Sequence, residues 1–276
     1  MSEPPSRDAP TNAWDPGFGR RSPWLAPSLR VFGALEHETT WPAVDRYTEL
    51  VESRRQAFAP EVRPVRFVVQ APKPRRRAPG PVDRDALYDV RITMHDEVPS
   101  RPENPHDFWN AVAWALFPRS KRAIHARQYR ALVAWLPEDA RTIPGKRTRE
   151  QDALTILDEG GVLVAAADAA ARAIAEGDFE TAVAAAIARG EARLVILGHA
   201  VLEHLQRGAP PVQALAHVVS LGPALPEDED ALFDAIDRAL SRDVADETLF
   251  REPSAHGSVL VSADGTASPG PGPSER

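Results

Sequence analysis

Residues 104–128 place the strongest constraint on how this chain folds. Their sequence is NPHDFWNAVAWALFPRSKRAIHARQ. Asn104 is a favoured N-cap, Pro105 suits the first helical position, and Asp107 falls in the first turn near the positive helix end. The following residues put five large apolar side chains on one broad face: Phe108, Trp109, Val112, Leu116 and Phe117. The segment predicts a helix that begins at Asn104, packs into a core and ends at Pro118.

Other elements are predicted on both sides of this helix. Residues 41–58 place apolar side chains at helical spacing, and VRFVV at 65–69 predicts a strand. Residues 87–94 alternate between apolar and polar side chains, which predicts a half-buried strand. Ser120 is a candidate cap for a second helix that runs to about Leu136.

The second half of the chain adds a predicted β-hairpin and more helices. The hairpin covers 153–166, where two apolar arms flank Asp158-Glu159-Gly160-Gly161, and glycines supply the positive φ that tight turns need. A helix is the alternative for the alanine-rich second arm. Helical patterns follow at 169–176, 179–189, 192–206 and 228–242, with Asp168 and Asp178 as candidate caps. The predicted fold class is α+β, a mostly helical single domain with a few short strands.

The domain boundaries follow from composition. A length of 276 residues favours one domain with irregular ends. Residues 1–22 are polar and proline-rich, and 252–276 end in ADGTASPGPGPSER, so both are predicted to be disordered. The globular domain is therefore expected at 23–251. Within it, APKPRRRAPGP at 71–81 predicts an exposed connector.

The expected compartment is the cytoplasm. The chain has no cysteine, which excludes disulfides, thiolate metal sites and cysteine nucleophiles. Its N-terminus lacks the apolar region of a secretory signal peptide. No window approaches the roughly 18–20 apolar residues that span a bilayer, so we expect no membrane contact.

Charge is distributed unevenly within a net charge of −7. Residues 117–150 hold nine Lys and Arg against three Asp and Glu, whereas 151–250 hold six against eighteen. The simpler interpretation is that the two halves attract each other, because overall acidity works against nucleic-acid binding. The alternative is a binding module that uses the basic helix 119–136, including Arg119 and Lys121.

The segment 104–128 resembles a bacterial family known only as domain of unknown function 3025. That family shows the pattern N-W-H-D-x-x-N-A-x-x-W-x-x-F-P-R-x-K. Nine residues match it: His106, Asp107, Asn110, Ala111, Trp114, Phe117, Pro118, Arg119 and Lys121. The chain departs at Pro105, where the family usually has Trp.

The resemblance extends over about residues 65–250. YDVRITMHDEVPSRPEN at 88–104, QDALTILDEGGVLVAAAD at 151–168 and LGHAVLEHL at 197–205 are similar to further segments of the family. Gln151 stands where the family often has Arg. The resemblance implies no activity, cofactor or catalytic residue.

Histidines and carboxylates in these segments form the candidate site. His199 and Glu203 are four residues apart on a predicted helix and share one face, while His106 lies in the first turn of another. Zn, Mn and Fe accept His, Asp and Glu without a thiolate. The hypothesis is a divalent metal ion held by His106, His199 and Glu203, with a bound water activated for hydrolysis. The remaining candidates are Asp107, Asp152 and Glu159 as catalytic carboxylates, and Asn110, Arg119, Lys121, His125 and Asp158 as further site residues.

Structural roles are the alternative for each of these residues. Asp107 would stabilise a helix end, Asp158 and Glu159 would form a turn, and His125 would be solvated in a basic helix. The chain has no G-x-S-x-G, G-x-x-x-x-G-K-[ST], G-x-G-x-x-G or H-E-x-x-H motif, which disfavours serine hydrolases and classical nucleotide enzymes. A metal-assisted hydrolase and a binding module therefore remain the two candidate functions, with the reaction and the partner open.

Overall fold

Two sheets organise the fold of the computed structural model, which describes residues 13–71, 81–137, 139–142, 146–253 and 257–269. The strands are β1 (Arg66–Val69), β2 (Glu97–Ser100), β3 (Gly161–Ala166), β4 (Ala192–Ile196), β5 (Val212–Ser220), β6 (Gly257–Val261) and β7 (Ala267–Pro269). β1 and β2 form a small parallel pair. The other five form one mixed sheet in the order β4-β3-β5-β6-β7.

Helices make up most of the rest. They are α1 (Leu29–Phe32), α2 (Val44–Phe58), α3 (Tyr88–His95), α4 (Pro105–Leu116), α5 (Pro118–Trp135), α6 (Arg149–Gly160), α7 (Asp168–Glu176), α8 (Phe179–Ala188), α9 (His199–Gln206) and α10 (Glu229–Ala245). Short 3-10 turns at Phe18–Arg20, Pro23–Ser28 and Gly33–His37 precede α2. The predicted class, mostly helical α+β, is confirmed.

Strand β3 is the centre of the large sheet. It pairs antiparallel with β4 and parallel with β5, so that Leu163 lies between Val195 and His217. All six of its residues are buried. A strand covered on both faces needs a continuous apolar run rather than alternation, and GVLVAA supplies one.

Helix α4 forms the core of the N-terminal half. Asn104 accepts a hydrogen bond from the Asp107 amide (3.1 Å) and Pro105 opens the helix, as predicted. The Phe108 ring lies at the centre of an aromatic cluster, with ring centroids 5.0–6.3 Å from those of Trp14, Phe18, Phe32, Trp41, Tyr47 and Trp109. Ordered packing therefore begins before residue 23, within the range predicted to be disordered.

Three secondary-structure predictions near the site are wrong. Residues 88–95 form helix α3 rather than a strand, because eight residues of mixed polarity fit either period and α3 packs on α5. The predicted hairpin at 153–166 is instead helix α6 followed directly by β3, whose partners lie elsewhere in the chain. Of the predicted helix 192–206, residues 192–196 form strand β4 and the helix begins at His199.

The predicted caps have different outcomes. Asp178 caps α8 as predicted, and Asp228, predicted to be the first residue of the last helix, is the N-cap of α10. Asp168 is the first residue of α7, and its carboxylate accepts from Ser220 and the Gly222 amide instead. Ser120 lies inside α5, which already begins at Pro118, and its hydroxyl bonds the Asp237 carboxylate (2.7 Å).

The C-terminal segment also departs from its prediction. Residues 257–261 and 267–269 form β6 and β7, which extend the large sheet beyond β5. Val259 and Val261 are buried there. Ordered structure therefore continues past the predicted boundary at 251. Part of the predicted connector 71–81 lies outside the described residues, as do residues 1–12 and 270–276.

Candidate active site

A polar cleft of about 770 Å³ brings together the segments that carry the candidate residues. Helices α3, α4, α5, α6 and α9 each contribute to its walls. The lining residues are Gln70, Ala71, Tyr88, Asp89, Pro99, Arg101, His106, Asp107, Asn110, His125, Gln128, Arg147, Gln151, Thr155, Asp158, Glu159 and His199. His106, Asp107 and His199 thus share one concave surface, which is the arrangement an active site requires.

Helix packing places the two histidines together. Trp109 of α4 donates from Nε1 to Gln206 Oε1 of α9 (2.6 Å), which holds the two helices side by side. His106 lies in the first turn of α4 and His199 in the first turn of α9. Their Nε2 atoms are 3.1 Å apart.

Each histidine is fixed through its other ring nitrogen. Nδ1 of His106 lies 3.1 Å from Oε2 of Glu203, one turn along α9. Nδ1 of His199 lies 2.8 Å from the backbone carbonyl oxygen of Asp158, which can only accept. His199 therefore carries its proton on Nδ1 and offers a lone pair on Nε2. His106 must then donate from Nε2 to His199.

The pKa shifts of His106, His199 and Glu203 agree with these proton positions. The hydrogen bond to Glu203 raises the pKa of His106 and lowers the pKa of Glu203. Burial lowers the pKa of His199 to about 3. A protonated His106 that donates to both Glu203 and a neutral His199 satisfies every one of these groups.

A buried lysine contacts Asp158, the residue whose carbonyl accepts from His199. Lys121 is fully buried, and its Nζ bonds Asp158 Oδ1 (2.5 Å) and Asn110 Oδ1 (2.8 Å). Asn110 donates in turn to the Tyr88 hydroxyl (3.0 Å). Burial acts to raise the pKa of Asp158, but the charge of Lys121 holds it well below its usual range. Asp158 therefore contacts Lys121 through its carboxylate and His199 through its backbone carbonyl.

The three predicted catalytic carboxylates have different surroundings. Asp107 is buried, and both of its oxygens are occupied by Arg101, through the guanidinium (2.9 Å to each oxygen) and the amide (2.6 Å). Asp152 lies in the first turn of α6, outside the residues that line the cleft. Glu159 lines the cleft and is exposed. Of the three, Glu159 alone places a carboxylate free of hydrogen bonds at the cleft.

The three predicted metal ligands do not converge on one point. Glu203 contacts Nδ1 of His106, whereas His199 faces Nε2, so the two contacts lie on opposite edges of the His106 ring. The metal site stays a prediction. Over the described part of the chain, no group of three or more His, Asp or Glu side chains is arranged to hold a metal ion.

The predicted basic face of helix 119–136 is also not free. Lys121 and Arg127 are buried, and Arg127 bonds Glu150 and three backbone carbonyls. Arg119 pairs with carboxylates of neighbouring elements: Glu61, Asp234 and Asp237. Arg122 bonds Asp96 and three backbone carbonyls. Four basic side chains of α5 thus pair within the fold, whereas Arg130 of the same helix is exposed.

Several lining residues lie outside the predicted site. Tyr88 and Asp89 belong to the segment predicted to be a strand, and Arg101 belongs to no predicted motif. Asp89 lies 3.0 Å from Nδ1 of His125, which is buried rather than solvated. Thr148 and Gln151 form a capping box that opens α6. The T-x-x-Q spacing could have indicated that helix, and with it the position of Asp158.

The sequence matches one family of known proteins. The sequence profile of a family described as a protein of unknown function (DUF3025) matches residues 66–257. The chain belongs to this family. No curated protein and no solved structure matches the chain. In the described ranges, no helix combines the length and apolar character needed to cross a bilayer.

Proposed function

We propose that the protein is a hydrolase in which His106, paired with Glu203, acts as a general acid in the polar cleft. The observation that carries this proposal is the chain of contacts from Glu203 through His106 to His199, with 3.1 Å at each step. Hydrolases use the same arrangement to transfer protons. A carboxylate orients one nitrogen of a histidine, and the other nitrogen faces the group that takes or gives the proton.

The proton on Nε2 of His106 is available for transfer. Its raised pKa keeps the ring protonated closer to neutral pH than an ordinary histidine. The present acceptor is His199, whose low pKa makes it a poor base. As its bond to the rest of the substrate breaks, a leaving oxygen or nitrogen in the cleft becomes strongly basic and replaces His199 as the acceptor of this proton. Glu203 then remains to stabilise the ring.

Glu159 completes the reaction as the general base. Its exposed carboxylate lines the same cleft, and its charge contributes to the raised pKa of His106. Glu159 takes a proton from a water molecule as the water oxygen bonds to the substrate, while the bond to the leaving group breaks and that group takes the proton of His106. The bonds that fit are those whose leaving atom needs a proton, such as an ester, an amide or a glycosidic bond.

The test is a hydrolase screen with matched variants. Wild type, His106→Gln and Glu159→Gln are assayed on chromogenic esters, amides and glycosides. Loss of a general acid or base typically lowers kcat by about 10²–10⁴-fold, so each variant is expected to fall by that factor. His204→Gln is the matched control, because His204 lies on α9 outside the cleft and bonds the Pro210 carbonyl. Full activity of His106→Gln, or a wild type that cleaves none of these substrates, contradicts the proposal.

Elemental analysis of the same samples separates this proposal from the metal-assisted alternative. The acid–base reaction needs no metal, so activity should survive a chelator. Near-stoichiometric Zn, Mn or Fe in the wild type, lost together with activity in His106→Gln and His199→Gln, would favour metal-assisted hydrolysis instead.

A further inference from the structure

His125 presents an unsatisfied polar atom at the wall of the cleft. The side chain of this α5 residue is only 3% exposed, and its Nδ1 lies 3.0 Å from Asp89 Oδ1. The ring stacks on Trp114 at 5.5 Å with an interplanar angle of 5°. Nε2 is buried without a hydrogen-bond partner. Buried polar atoms without partners are rare in folded proteins, so Nε2 of His125 is a candidate hydrogen-bonding group for a ligand.

We propose that the cleft binds a neutral, polyhydroxylated substrate, a sugar or polyol, and that one of its hydroxyl groups forms a hydrogen bond with Nε2 of His125. This inference rests on the cleft being the active site proposed above, and it names the class of substrate. Nδ1 of His125 already faces the Asp89 carboxylate, so Nε2 is the ring atom left for a ligand, and a hydroxyl group can either donate to it or accept from it.

Charge near His125 favours an uncharged ligand group at Nε2. Asp89 contacts the ring directly, so an anionic ligand group there would be repelled by that carboxylate. The Asp158 carboxylate in the same cleft is already paired with the Lys121 ammonium, so it offers no unpaired charge to a cationic group. A hydroxyl group meets neither limitation.

Neutral hydrogen-bonding side chains line the cleft beside its charged residues. They are Gln70, Tyr88, Asn110, Gln128, Gln151 and Thr155. Amides and hydroxyls both donate and accept, which matches a ligand with several hydroxyl groups. A cleft of about 770 Å³ lies within the size range of sites for small molecules.

Access to His125 requires one ring to move. Tyr88 packs edge-on against His125 with ring centroids 5.7 Å apart, and it is 39% exposed. The Tyr88 hydroxyl also accepts a hydrogen bond from Asn110, so a ligand that reaches Nε2 must displace the Tyr88 ring and replace that hydrogen bond.

The test is ligand binding by NMR, which needs no turnover. Glycerol, D-glucose and myo-inositol are titrated separately into full-length protein labelled with ¹⁵N at histidine. Sodium acetate and ethylammonium chloride serve as charged probes without hydroxyl groups. We expect saturable shifts of the His125 ring nitrogens with at least one polyol and none with the charged probes.

His125→Phe is the matched variant, because a phenyl ring keeps the stack on Trp114 and removes both nitrogens. Affinity for the polyol, followed in this variant by tryptophan fluorescence, should fall about tenfold or more, the effect of losing one hydrogen bond in a buried site. Equal affinity in the variant, saturation with acetate or ethylammonium instead, or no saturable shift with any polyol overturns the inference. Because the readout is binding, these outcomes are independent of whether His106 catalyses hydrolysis.

Discussion

The proton on His106 is the feature on which the proposed chemistry depends at the scale of single residues. His106 and His199 are the same residue type 3.1 Å apart, yet their pKa values are shifted in opposite directions. The difference arises because His106 faces a carboxylate, whereas His199 is buried against a neutral carbonyl. Pairs of titratable groups whose surroundings separate their pKa values are typical of acid–base sites.

Removing the carboxylate should lower the pKa of His106. In Glu203→Gln the hydrogen bond to Nδ1 can persist but its charge is lost, so the pKa is expected to fall below that of the wild type. A titration of the His106 ring followed by ¹⁵N NMR measures this shift. Glu180→Gln, an exposed substitution on α8, is the control and should leave the titration unchanged. An unchanged pKa in Glu203→Gln would remove the basis for His106 as the acid.

The His106–Glu203 pair also predicts a stability window. The pKa of His106 is raised above its usual value of 6.5. The contribution of His106 to the free energy of unfolding is therefore fully present below pH 6.5, and it is lost as pH rises through the folded-state pKa. Because the pKa of Glu203 is lowered, its contribution is present above its usual value of 4.5 and is lost at lower pH. The free energy of unfolding should therefore differ most between wild type and Glu203→Gln between about pH 4.5 and 6.5. Urea unfolding at several pH values measures the difference.

His199 should make the protein sensitive to acid. Its folded-state pKa of about 3 lies below the usual 6.5, so between these values the unfolded chain binds a proton that the folded chain excludes. This residue alone should lower the free energy of unfolding by up to about 1.4 kcal/mol for each pH unit below 6.5. In His199→Asn the slope with pH should be smaller, while His204→Asn should keep it. Parallel slopes in wild type and His199→Asn would contradict the assignment.

Secondary-structure elements were predictable from sequence where their end signals were local. Helix α4 has its cap, its proline and its apolar face within a few residues, and all three predictions hold. The α6–β3 junction is not evident from the sequence. The 12-residue helix α6 ends at a Gly-Gly pair, and such a pair also fits the turn of a hairpin. The choice depends on β3 finding partners in β4 and β5, which no local pattern shows.

Gly198 should be essential for the placement of α9. A Cβ at this position would lie 2.6 Å from the Glu159 carbonyl oxygen and 2.7 Å from the Gly161 amide nitrogen, both of which are backbone atoms. Gly198→Ala must therefore displace α9 from the α6–β3 junction, at a cost of about 1–3 kcal/mol. Gly160→Ala is the matched control, since a Cβ there meets nothing within 4 Å. Urea unfolding compares the two, and equal stability would show that the junction is more open than described.

Lys121 should couple α5 to α6 through a buried ion pair. Lys121→Met leaves Asp158 buried and unpaired, which typically costs about 3–5 kcal/mol. Adding Asp158→Asn removes that charge, so the double variant should be more stable than Lys121→Met alone. A thermal or urea unfolding cycle over the four proteins measures the coupling. Additive losses would indicate that the two side chains do not interact.

The candidate site is a property of the whole molecule. His106 and His199 are 93 positions apart, and Lys121 and Asp158 are 37 apart. The sequence points to these residues, because they lie in the segments that resemble the family. It does not show their partners, which is why His106, His199 and Glu203 are predicted around one ion. Which ring nitrogen faces which group is fixed only when α4 and α9 pack together.

The large sheet should depend on residues near the C-terminus. β6 covers the edge of β5 and buries Val259 and Val261, while Trp24 near the N-terminus donates to the Ser262 carbonyl (3.0 Å). A chain shortened after Pro253 loses these contacts and exposes a strand edge. The two valines alone contribute about 3 kcal/mol or more, and the free edge favours aggregation.

Urea unfolding and light scattering measure both effects of this truncation. The double substitution Val259→Ala and Val261→Ala in the full-length chain is the intermediate case, because it reduces burial but keeps the strand pairing. We expect it to lose less stability than the truncation and to stay monodisperse to the same extent as the wild type. Ser268→Ala, on the exposed side of β7, should unfold like the wild type. If the shortened chain unfolds at the same urea concentration as the full-length protein, then β3, β4 and β5 are sufficient for the sheet. In that case the predicted boundary at residue 251 would describe the stable unit after all.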